Sequence, residues 1–144
     1  ILERFFKDNI VLSSHVVAFA AFEILKNQNS KLDLYGILRL PPDDYVFPGD
    51  ALEDVVGQMQ TTLIEMEKQG EVRLSEQICW DVPRLIQDGI RHLGTYHLDK
   101  PLRINKQGEI VSDSFKVLYF YHNRLEGYRL AQKVNWRKYA LEIA

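Results

Sequence analysis

The chain has 144 residues with 18 Lys and Arg against 20 Asp and Glu, a formal charge of −2 and a pI near 6.1. That length suits one domain able to bury roughly two-thirds of the surface its unfolded form exposes, and the charge balance excludes a general attraction to phosphate backbones or anionic lipid. Cys79 is the single cysteine, which excludes an internal disulfide or a multi-cysteine metal site, and the longest apolar run, residues 16–22, falls far short of the ~20 residues of a spanning helix.

Residues 1–12 read as a connector from an upstream domain, residues 13–131 as an α+β, mostly α, domain, and residues 132–144 as a helical tail. The chain opens at Ile1 rather than Met, and its first residues lack the basic, apolar and small-residue order of a signal peptide. The expectation is a piece of a longer polypeptide. Ser13 or Ser14 is placed to cap a helix over residues 13–26, which carries few polar positions and should lie deep in the core. A shorter helix over residues 31–40 ends at Pro41 and Pro42. A loop rich in proline and aspartate follows, with Tyr45 and Phe47 in it. Asp50 with Glu53 makes a capping box for the longest helix, residues 50–69, whose Leu52, Val55, Val56, Met59, Leu63 and Met66 recur at intervals of three and four. Gly70 closes it and residues 71–75 alternate as a strand.

A second such unit begins at Asp81, which caps a helix with Pro83 in its first turn, Leu85, Ile86, Ile90 and Leu93 inward and Gly94 at its end. Residues 95–98, 102–104 and 109–111 pattern as short strands, the last two joined as a hairpin through residues 105–108. Asp113 then starts a helix with four aromatics between positions 115 and 121, apolar around most of its girth and expected inside the fold. The element order allows a winged-helix arrangement. The long helix that would enter a DNA groove carries Asp50, Glu53, Asp54, Glu65 and Glu67 against Lys68, so nucleic acid is not an expected partner.

Catalytic chemistry has few candidates. His15 sits at the head of a buried helix, and His92 and His97 are spaced poorly for one metal ion. His122 stands out: with Asn123, Arg124 and Glu126 it forms a polar cluster at the end of the aromatic helix, suited to anion binding or to contact with a neighbouring domain. A free-standing acid–base enzyme would require His122 to line a concave pocket with a carboxylate in reach. No glycine-rich phosphate loop is present in the sequence, and no cofactor is implied.

The tract Tyr119-Phe120-Tyr121-His122-Asn123-Arg124-Leu125 resembles one near the C-terminus of membrane-associated bacterial glycerol-3-phosphate acyltransferases. Asn9-Ile10-Val11-Leu12-Ser13-Ser14-His15-Val16-Val17-Ala18 is similar to that family's segment just after its catalytic domain. Leu85-Ile86 through Gly108-Glu109-Ile110-Val111 looks like its helix, strand and Gly-acidic-Ile turn. The family commonly has arginine where His122 stands. Its His-x-x-x-x-Asp dyad is missing here, since Ala20, His97, Leu102 and Gly127 stand five residues beyond the four histidines. The resemblance therefore implies a non-catalytic C-terminal region. Its partner would be the catalytic acyltransferase domain of the same polypeptide, at the cytoplasmic face of the cell membrane, with the membrane surface met through that parent. The parent would acylate glycerol-3-phosphate in phospholipid synthesis; a lysophosphatidate acyltransferase parent is the neighbouring alternative.

Overall fold

A computed structural model describes residues 10–95 and 97–128, with side chains described outside positions 44 and 126–128. Its order is β1 (Ile10–Val11), α1 (Ser13–Gln28), α2 (Leu34–Leu38), α3 (Gly49–Lys68), β2 (Arg73–Leu74), α4 (Val82–Thr95), β3 (Arg103–Ile104), β4 (Ile110–Val111) and α5 (Phe115–His122), with 3-10 turns at Pro42–Asp44, Glu76–Cys79 and Asn123–Tyr128. The class is α+β, mostly α.

The architecture follows from α1. A helix apolar on every side cannot rest against solvent, and all of its residues from Ser13 to Leu25 are buried. Helices α3, α4 and α5 each pack on it, so it is the axle of the domain. The amphipathic α3 supplies the expected stripe, with Leu52, Val55, Val56, Met59, Leu63 and Met66 all buried. From α4, the expected Leu85, Ile86, Ile90 and Leu93 point inward, joined by Asp88 and Gly89.

Several local expectations change. Leu12, not Ser13 or Ser14, is the N-cap of α1, and its amide donates 3.2 Å to Nδ1 of His15. Ser13 is drawn away from capping because its hydroxyl donates 2.7 Å to the buried Asp88 carboxylate. Asp50 and Glu53 form no capping box: α3 starts at Gly49 behind Pro48, and Asp50 lies in the first turn, where its charge favours the helix N-terminus. Gly70 does close α3: its φ of 77° lets the Glu71 amide reach the Met66 carbonyl at 3.0 Å and its own amide reach Glu67 at 3.0 Å. Gly94 does not end α4, which runs to Thr95, and residues 97 and 98 form no strand.

The strand pairing departs from a winged-helix sheet. β1 runs parallel to β2, so residues 10 and 11 of the expected connector are part of the fold, while β3 and β4 make a separate antiparallel hairpin. The loop before α3 adds to that hairpin through the Phe47 amide, which donates 2.9 Å to the Ile110 carbonyl. Phe47 is buried there, edge-on to Tyr45 and Phe115. The aromatic helix α5 is buried on one side only. Phe115, Leu118 and His122 are buried, Phe115 against Tyr45 and Phe47 and His122 against Phe19 and Phe22 of α1, whereas Phe120 is 69% exposed.

His15 lends itself to a direct test. Burial first, and then the positive charge of Arg124, push its pKa from 6.5 down to about 4, so the ring is neutral and free to accept the Leu12 amide. The unfolded chain takes up a proton near pH 6.5 that the folded chain refuses until about pH 4, so unfolding free energy should fall with acid across that window, by at most about 3 kcal/mol from this group. His15→Gln keeps an acceptor without titrating. Urea midpoints measured against pH should show a flatter slope for the variant; an identical slope would refute the assignment to His15.

Candidate functional site

Two carboxylates are buried on helices, Glu23 within the apolar run of α1 and Asp88 on the inner face of the amphipathic α4, and each organises a polar cluster. Glu23 is 3% exposed. Its Oε1 lies 3.5 Å from Nε2 of His122 and its Oε2 lies 3.3 Å from Nζ of Lys26, one turn further along α1. Burial alone would raise the Glu23 carboxyl. The bond from His122 and the charge of Lys26 outweigh it, and the net pKa is below the ordinary value, so Glu23 is ionised at neutral pH.

His122 is 1% exposed and wedged between rings. The Phe19 ring stacks on it at 4.7 Å with planes 2° apart, and Tyr119 lies at 5.6 Å and 22° on the same helix. Phe22 closes the side at 4.9 Å. Its Nδ1 stands 3.3 Å from Oδ1 of Asn123, so both ring nitrogens face oxygen acceptors. A cavity of about 230 Å³ borders this assembly, lined by Lys26, Tyr119 and His122 on one side and by Leu34 and Ile37 on another.

The structure therefore divides the cluster expected at the end of the aromatic helix. His122 turns inward to Glu23, while Asn123 and Arg124 are exposed and the Glu126 side chain lies outside the described residues. The inward partner was missed in the sequence because it sits 99 positions away from His122, although a single Glu inside the run Val16-Val17-Ala18-Phe19-Ala20-Ala21-Phe22-Glu23-Ile24-Leu25 is a visible signal of a buried pair.

Asp88 is the second centre. It accepts from Ser13 Oγ at 2.7 Å and from Arg91 Nη2 at 2.9 Å, with His92 Nδ1 3.4 Å from its Oδ2. Burial raises its carboxyl and these partners more than offset that, leaving the pKa lowered. The cluster ties α4 to the head of α1, and its serine is bound to the acid directly with no histidine between them, so it lacks the order of a nucleophile, base and orienting acid. His97, for its part, meets the Tyr121 hydroxyl at 2.7 Å rather than His92. Among the described residues no group of three or more His, Cys, Asp or Glu is arranged to hold a metal ion, and no helix is long and apolar enough to cross a membrane.

These features define an α+β domain wrapped around one apolar helix, with a buried histidine–carboxylate pair joining that helix to the aromatic one. No protein-family model, curated protein or solved structure matches the chain.

Proposed function

We propose that this chain is a non-catalytic accessory region of a glycerol-3-phosphate acyltransferase, packing on the catalytic domain of the same polypeptide at the cytoplasmic membrane face. The observation that carries the reading is the use made of the resemblance-bearing tract. Tyr119 and His122 are spent on internal packing against Phe19, Phe22 and Glu23, and both nitrogens of His122 already face acceptors, which leaves neither for a substrate. Exposed aromatics on two helices that touch, Tyr35 at 72% on α2 and Phe120 at 69% on α5, supply surface for a neighbouring domain.

In this reading Leu2, Phe5, Phe6, Trp136 and Tyr139, the large apolar residues of the connector and tail, would form an interface patch; they lie outside the described residues. Incubated with glycerol-3-phosphate and acyl-CoA or acyl-carrier protein, the chain alone should form no product, and measurable turnover would overturn the reading. In a parent carrying a His-x-x-x-x-Asp domain in cis, Phe120→Asp should lower activity several-fold while leaving the thermal stability of this region unchanged.

One observation favours a second reading. His122 does border a cavity with a carboxylate in reach, as an acid–base enzyme requires, although the acid is Glu23 and not Glu126. His122→Gln separates the two. Loss of stability accompanies the packing role, whereas loss of a turnover with stability retained accompanies the catalytic one. A nucleic-acid module has less support. Arg91 and Arg103 each share their charge with an acid, Asp88 and Asp113, and Arg84 lies 3.9 Å over the Trp80 ring, so the cations near the strands form a local cluster rather than the long stripe a nucleic-acid backbone requires.

A further inference from the structure

Away from the buried pair, an open groove of about 430 Å³ runs between α4 and β3. Its walls carry three cations, Arg91, Lys100 and Arg103, and Ile90 and Leu102 beneath them are buried. From this convergence we propose that the groove binds a phosphate group, with the exposed Ile104 of its lining accepting part of the molecule that bears it.

Each cation is held in place by a contact that leaves it able to bind. Arg91 is anchored to Asp88 through Nη2 at 2.9 Å, yet its side chain is 73% exposed. Arg103 meets Asp113 through Nε at 2.9 Å, so its terminal Nη pair is available for a further acceptor. Asp113 also fixes the Lys100 backbone, accepting from its amide at 3.1 Å and donating its own amide to the Lys100 carbonyl at 2.9 Å. The Lys100 stem lies over the bare backbone of Gly94, where an added Cβ would meet Cδ at 3.3 Å and Nζ at 3.7 Å. Its ammonium has no carboxylate within ion-pair distance among the described residues.

Thus Asp88 and Asp113 are committed to orienting cations. A guanidinium positioned in this way suits the geometry of phosphate oxygens. The proposal does not rest on the acyltransferase reading.

The test is titration of the full chain with inorganic phosphate, followed by amide chemical shifts at Gly94, Thr95 and Leu102, alongside sedimentation with vesicles of phosphatidylcholine with and without phosphatidylglycerol. Saturable shifts with phosphate that chloride does not reproduce are expected, weakened about tenfold by Lys100→Gln and by Arg103→Gln and largely kept by Arg103→Lys. Binding seen only with the anionic vesicles, and lost in the same variants, would support the site and assign its ligand to a lipid headgroup. Shifts that never saturate, or that the variants leave unchanged while vesicles also fail to bind, would overturn it.

Discussion

Glu23→Ala should lower the unfolding free energy by about 3–5 kcal/mol, a large share of the roughly 5–15 kcal/mol that a domain possesses. The acid is 3% exposed and serves two nitrogen partners at once, the His122 ring at 3.5 Å and the Lys26 ammonium at 3.3 Å. Removing it leaves the buried imidazole facing a void, with its Nε2 deprived of the carboxylate. The desolvation cost of that nitrogen then stands uncompensated. Replacing both partners is a different experiment. In Glu23→Met with His122→Phe the ring stack on Phe19 and Tyr119 can persist and no polar group is stranded, so the double variant should recover most of the loss. Urea unfolding of the two singles and the double gives the coupling directly, and a double variant as unstable as the sum of the singles would show that the pair is not the unit described. Since the Glu23 pKa is lowered in the fold, its contribution is present above the ordinary carboxylate value and disappears as pH falls through the folded one.

The second large effect is expected at Gly89, and there the sign is the test. In an exposed helix Gly→Ala stabilises by about 1 kcal/mol. At position 89 a Cβ would lie 2.5 Å from Val17 Cγ2 and 2.8 Å from the Ser13 carbonyl oxygen, inside any tolerable contact. Helices α1 and α4 cross at this point, and the Ser13 oxygen is backbone that moves only with α1. Gly89→Ala is therefore expected to destabilise by about 1–3 kcal/mol, the range of overpacked cores. Adding Val17→Ala removes the nearer obstacle and leaves the carbonyl, so relief should be partial. A thermal midpoint above that of the parent would contradict the close crossing.

Much of the framework was legible along the chain because it depends on neighbours in sequence. The α3 stripe, the inward residues of α4, the left-handed Gly70 and the hairpin at residues 103–111 each follow from period, propensity or turn chemistry acting over a few residues. The helix caps were harder to read for a physical reason. Ser13 and Asp50 have the right side chains for capping, but the packed chain gives Ser13 a stronger acceptor in Asp88, 75 positions away, and starts α3 one residue before Asp50. The strand expected after α4 failed similarly, because alternation over so few residues forms a strand only where a partner edge is present.

What the sequence by itself determined is a mostly helical domain with one predominantly apolar helix and an aromatic helix that had to meet it, since burying those rings is the dominant gain available to the chain. What only the tertiary structure decided is where the polar groups inside that core are answered. His122 could have joined Asn123, Arg124 and Glu126 beside it. Its Nδ1 does meet Asn123 at 3.3 Å, but its Nε2 turns to Glu23, because a carboxylate carried into the core by α1 must find a donor there, and α5 delivers one to within 3.5 Å.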